Sequence, residues 1–382
     1  MPHFSRVLRL ALCITVFTSV FWLRTTGAFD SQAAVTGPLP HSANFSAALS
    51  AAASVASTDE LGSVISGKSL VKLGDANTVS QFTTLTSTPF GFYVLDTVRQ
   101  HVTQFDKHGV FRGVFGKKGV GPGAYVWPSG LAPVADPANT GSQDVWLTDF
   151  HQSRVNRLAS DGTYRNSFPI SAQGFAAKGI AQNPATGDIY ICGNKTSASR
   201  ASVLHHYDRT GKFSGSFFDL SGATLALNLD SANDCLFTNA GNSTLVAFPY
   251  EYVVYLIENG SARPLVAGPS RAFHQPALPL VFPGPSPLEN IHAFEDWSLK
   301  CTLINKIVAI DDATLLVQYE TFSPLRYELD VWDLHSKRML RSVRTNHRLL
   351  ASAGGGGAYF LEQLETAGQP EYTIIEGKVN AN

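Results

Sequence analysis

Charge is scarce in this sequence. Only 15% of its 382 residues are Asp, Glu, Lys or Arg, and the formal net charge is −1. With 29 Lys plus Arg set evenly against 30 Asp plus Glu and no basic block, a nucleic-acid partner held through its phosphates is excluded. The 44% apolar content argues against disorder or a coiled coil. Cysteine is rare as well. The four cysteines match no zinc-ligand spacing and cannot form a disulfide scaffold. The longest apolar run, Leu10 to Leu23, has 14 residues, short of the ~20 that cross a bilayer comfortably. Outside that run no long stretch keeps a 3.6-residue period, so helical and α/β folds have no support. G-x-S-x-G, H-E-x-x-H and C-x-x-C are all missing.

What is abundant is turn and strand material. The chain holds 32 Gly and 20 Pro beside 24 Phe and 12 Tyr, the mixture of many short strands joined by turns.

The N-terminus reads as an export signal over residues 1–28. Arg6 and Arg9 precede the apolar run, and Thr26, Gly27 and Ala28 supply small residues for cleavage. Arg24 keeps an uncleaved anchor open as the alternative, and only such an anchor would bring the chain to a membrane. The expected location is therefore exported: periplasmic, cell-surface or secreted. Residues 29–59 form an Ala/Ser-rich linker. Removing the signal leaves Cys192, Cys235 and Cys301, enough for one disulfide and one thiol, with small buried strand residues as the simplest reading. Asn-x-Ser/Thr sequons at Asn44, Asn194, Asn242 and Asn259 carry no weight, since about three arise by chance in such a composition.

Self-comparison of residues 60–382 is more informative. Asp96, Val102, Phe105 and Gly109 recur at Asp149, Val155, Leu158 and Gly162, each at an offset of 53. A third copy begins at Asp188 and places Gly211 another 49 residues on. A fourth is read from Cys235, with Asn239, Leu245 and Phe248 taking the places of Asp96, Val102 and Phe105. Weaker copies start at Leu315 and Ala358. Each copy runs strand, polar turn, alternating strand, D-x-x-G or N-G hairpin, strand. Repetition of four short strands about every 50 residues predicts an all-β propeller of six four-stranded antiparallel blades. Closure of the ring predicts that the strand after Gly354 to Gly357 shares a blade with an N-terminal strand near Leu70 to Leu73.

The segment from Phe115 to Pro133 (FGKKGVGPGAYVWPSGLAP) resembles the inter-blade segment of NHL-repeat propellers. There a G-x-G-x-G loop and a P-x-G-(L/I)-A strand lead into the next blade. The D-x-x-x-x-(R/H)-V-x-x-(F/L)-x-x-x-G stretches at Asp96 and Asp149 are similar to the same repeat. The likeness is good over about residues 90–215 and fades from 235 onward. Among the glycines, Gly116, Gly119, Gly121 and Gly123 do not form a phosphate loop, because strand and turn residues follow them rather than a helix N-terminus.

The resemblance puts the turns after Asp96 and Asp149 at one mouth of the central channel. The candidate ligand-binding residues are Asp96, Arg99, His101, Asp149, His151 and Arg154. Arg154 offers a fork for an acidic ligand. The two carboxylates could contribute to a Ca²⁺ site or cap their own turns. Gly193 and Asn239 in the next two copies leave the carboxylate ring incomplete, so no metal is assigned. The adjacent His205 and His206 point to opposite faces of a strand and cannot both serve one metal, while Tyr207 takes the core position of Phe105.

The proline-rich stretch 267–300, with Phe273, Leu280, Phe282, Phe294 and Trp297, is too long for a hairpin loop. It is expected to lie as an ordered cover over one face of the ring. The function these features imply is a non-catalytic module that binds a small ligand or a protein. The alternative is a metal-dependent hydrolase or lyase with its site at the channel mouth, as in gluconolactonase-like and amidating-lyase propellers.

Overall fold

The computed structural model describes residues 65–73, 84–135, 143–170, 175–195, 202–219, 235–249, 251–268, 273, 302–320, 327–366 and 369–379. The expected signal, linker and almost all of the 267–300 insertion lie outside them, as does Cys301.

Six four-stranded antiparallel sheets follow one another along the chain. Blades 1 to 5 span residues 84–115, 128–169, 175–219, 236–267 and 303–345. In each of them the four strands are consecutive, so every connection within a blade is a hairpin. Blade 6 combines three C-terminal strands, 348–379, with Ile65–Leu73 as its outer strand. The closure expected from the sequence is thus present, and it pairs the strand that opens the described chain with the one that ends it, Gln369–Val379. Joining the ends this way removes the two free blade edges that an open ring would expose along its seam.

The first strand of each blade contacts the first strands of both neighbours, which closes the inner ring. Strand alternation then divides the core into wedges between blades. Phe92 and Val94 pack toward blade 6, for instance, while Tyr93 and Leu95 pack toward blade 2. Tyr207 is buried against Phe168 of the preceding blade, as its alignment with Phe105 suggested.

The repeat glycines have a steric origin. Gly109, Gly162 and Gly211 all adopt positive φ, at 78°, 81° and 85°, which glycine tolerates at no cost. A Cβ at Gly162 would lie 2.2 Å from Cβ of Phe115 in the blade before.

Two departures from the sequence reading appear at blades 3 and 4. Asn239 lies on the first strand of blade 4, Leu236–Ala240, whereas Asp96 ends the second strand of blade 1, Gly91–Asp96. The fourth copy was therefore read one strand out of step. The cause is that two short alternating strands joined by a polar turn look alike at either hairpin of a blade. Cys192 and Cys235 form a disulfide that joins the second strand of blade 3 to the residue just before the first strand of blade 4.

Candidate functional site

Asp96 and Asp149 each end a second strand and face the first residue of the third: Asp96 opposite His101, Asp149 opposite Arg154. Both carboxylates are fully buried. Asp96 accepts the Arg99 N–H at 2.9 Å. Asp149 accepts five N–H groups: the backbone of Val126 (2.8 Å), Trp127 (3.2 Å), His151 and Gln152 (both 3.1 Å), and the Gln152 side chain. A carboxylate satisfied this fully is a cap that holds the turn and the incoming strand together. The residue just before each third strand, Gln100 or Ser153, takes a left-handed conformation with φ 58° or 47°. Neither is glycine, so nothing in the residue types signals it.

The glycine-rich loop lies over this turn. It bridges back on itself, Lys117 beside Ala124 and Lys118 beside Tyr125, and the Tyr125 hydroxyl donates to the Phe115 carbonyl at 3.1 Å. Gln152 donates to the Gly119 carbonyl at 2.9 Å. Arg154 donates to Gly121 at 2.8 Å and to Ala124 at 2.6 Å. The loop thus presents carbonyls to a guanidinium. A phosphate cradle would instead gather N–H groups.

The six candidate residues form two groups. Asp96, Arg99 and His101 belong to the blade 1 turn, and Asp149, His151 and Arg154 to that of blade 2. The turns are linked where blade 2 begins. Thr97 Oγ1 donates to the Pro128 carbonyl at 3.2 Å, and Asp149 holds the neighbouring Val126 and Trp127. His151 is exposed, and Arg99 and His101 are half-buried. Among the described residues no three His, Cys, Asp or Glu side chains gather as a metal-ligand set.

Residues the sequence reading did not single out complete the picture on the other side of the ring. In the second strand of blade 5, Thr314–Glu320, Tyr319 pairs with the first-strand residue just before a bulge, as Asp149 does in blade 2. It packs edge-on to Tyr252 at 5.8 Å and to Phe273 at 5.7 Å. Phe273, described within the 267–300 stretch, also meets Tyr252 at 5.2 Å. Beneath it the Tyr252 hydroxyl donates to Asp330 and accepts from Trp332 Nε1 at 3.0 Å. Burial, reinforced by the Asp330 carboxylate, holds the Tyr252 phenol well above its usual range. His205 is a structural histidine, with ring nitrogens 2.8 Å from Ser216 Oγ and 3.0 Å from the Gly193 carbonyl.

No protein-family model matches the sequence, and no curated protein matches it. Solved structures do. A protein named "Putative exported protein" from Bacteroides fragilis is 12% identical, covers 85% of this chain and 98% of its own, and superposes with a TM-score of 0.64. A member of the DUF4221 family from Bacteroides vulgatus is 11% identical, with 83% and 99% covered and a TM-score of 0.57. At such identities the likeness concerns the six-bladed fold.

Proposed function

We propose that this chain is an exported, NHL-like propeller that acts as a non-catalytic binding module, recognising a small ligand or a protein at the mouth formed by the blade 1 and blade 2 turns. The observation that carries this reading is the capping of both turns by their own carboxylates. Asp96 and Asp149 fix the backbone from which Arg99, His101 and His151 project, while Arg154 ties the glycine-rich loop down beside them, as a recognition surface requires. Export is supported by the signal-like N-terminus and by the Cys192–Cys235 disulfide, a bond that persists in oxidising compartments.

Elemental analysis of the purified, exported protein, with melting before and after EDTA, tests the binding reading. The expected result is no stoichiometric metal and no EDTA effect, with partner or ligand capture lost on Arg99→Ala plus His151→Ala. One tightly held Ca²⁺ or Zn²⁺ per chain, with melting lowered by EDTA, would replace this reading with the metal-dependent hydrolase or lyase. A mature N-terminus near Phe29 would support cleavage of the signal, and an intact one would support the anchor.

A further inference from the structure

The chain's even overall charge hides an uneven placement. Outer strands are the free edges of the blades, and their cations follow one rule in most of the ring. Arg112, Arg165 and Arg263 in blades 1, 2 and 4, and Lys68 and Lys72 in blade 6, each pair with a carboxylate of their own blade. The outer strand of blade 3, Phe213–Asp219, carries no cation. Charge on an edge, balanced within its own blade, discourages the edges of two molecules from pairing.

Blade 5 departs from this rule. Its outer strand, Arg338–Thr345, holds Arg338, Arg341 and Arg344, with Lys337 just before it. Residues 335–342 form the longest exposed run among the described residues. Arg341 and Arg344 are engaged within the chain, Arg344 with Glu328 at 2.9 Å, yet Arg344 keeps 57% of its side chain exposed. Lys337 and Arg338 have no ion pair among the described residues. The neighbouring acids are otherwise occupied. Asp330 is fully buried against Tyr252. Asp333, across from Arg338 in register, accepts from the His335 N–H at 3.0 Å and the Ser336 hydroxyl at 2.6 Å.

The sheet ends at this strand among the described residues, so its outward backbone N–H and C=O groups can accept a further strand. Arg341 lies opposite Val331, on the face that meets blade 6, and Arg344 opposite Glu328, on the other face. Met339 and Leu340 are exposed between the cations. A segment lying along the edge would therefore meet positive charge on both of its faces. We infer that the outer strand of blade 5 is a docking edge for an extended, acidic segment of a partner protein, which adds to the blade as a further strand. The charge selects an acidic occupant, and the backbone edge, which only another peptide chain can match, selects a protein over a lipid surface. This edge is on the rim of the ring and does not depend on the mouth residues of blades 1 and 2.

Fluorescence anisotropy of a short labelled peptide of Glu-Val repeats, titrated with the purified protein at neutral pH, tests this. We expect saturable binding that weakens as salt is added. Lys337→Gln combined with Arg338→Gln should weaken it about fivefold with no change in melting temperature, since both residues are exposed. Two further peptides, N-methylated at the Glu or at the Val positions, keep the charge. One of them loses the donors that face the blade and should bind about tenfold more weakly. No binding, equal binding by all three peptides, or binding unchanged in the double variant would overturn the inference. Tighter binding to phosphatidylserine vesicles than to the peptide would also overturn it, in favour of a strand that faces a membrane.

Discussion

Blades 2 and 5 close the same end of the same structural unit by opposite means. In blade 2 the second strand ends in a buried carboxylate that gathers five N–H donors. In blade 5 the matching position holds Tyr319, packed among Tyr252 and Phe273 with Trp332 behind. The first solution is polar and local. Asp149 recruits partners within three residues and from the segment that enters its own blade. The second is apolar and long-range, since Tyr252 reaches Asp330 across 78 positions of sequence. The difference shows why the repeat is plain in the first half of the chain and faint in the second. A cap needs a particular residue at a particular place, whereas aromatic packing accepts many sequences of similar volume.

The largest effect should appear at the seam between the two halves. Replacing Cys192 and Cys235 by serine opens a link spanning 43 positions. It should lower unfolding stability by about 4 kcal/mol on the loop-entropy model. Denaturant titration of the double variant, against the parent under oxidising and reducing conditions, checks this; equal stability in all samples would show that the halves need no staple.

Asp149→Ala should come next, at about 3 kcal/mol, because several buried donors lose one acceptor together. Asp149→Asn, which keeps an acceptor, should recover part of that loss. If both variants cost under about 0.5 kcal/mol, the value of ordinary surface changes, the capping account of blade 2 is wrong. On the aromatic side, Tyr252→Phe keeps the ring stack but removes the hydroxyl between Asp330 and Trp332. A loss of about 2 kcal/mol is expected. A neutral result would mean that packing alone closes blade 5.

The smallest effect is a pH dependence that divides the ring by charge type. Lys306 has a folded-state pKa of about 8 against an ordinary 10.5. Between those values the unfolded chain binds more protons, so stability should rise with pH. Burial raises Tyr93, Tyr190 and Tyr359 to about 12. Above pH 10 the unfolded chain releases those protons first, so stability should fall. A maximum near pH 10 follows, with a rise from pH 8 on the order of 1 kcal/mol after allowance for partial solvent access to the amine. Lys306→Met should flatten the rise and leave the fall, as measured by denaturant midpoints at each pH.

Much of this molecule was legible in advance because propeller blades are built from local grammar. The offsets that link Asp96 to Asp149 and Gly109 to Gly162 and Gly211 reflect turns whose stereochemistry depends on a few adjacent residues. The strand near Leu70 could be assigned to the last blade because a ring has to close. The repeat positions of Asp96, His101, Asp149 and Arg154 fall at matching strand ends of blades 1 and 2, since these are the most regular copies. The fourth copy failed where the two hairpins of a blade offer the same alternating pattern, and nothing local distinguishes them.

The sequence by itself therefore determined the repeat of four-stranded blades, the closure of the ring and the glycine-bearing turns of the regular copies, all of which follow from patterns over a few positions. Only the tertiary structure decided which distant residues meet. The pairing of Cys192 with Cys235, the contact of Tyr252 with Asp330 and the turning of Lys306 away from Ile304 and Ile307 depend on blade-to-blade stacking and on bulges that shift register. A bulge adds one residue without changing composition or apparent period, so its effect on which side chains face each other becomes visible only when the strands are paired.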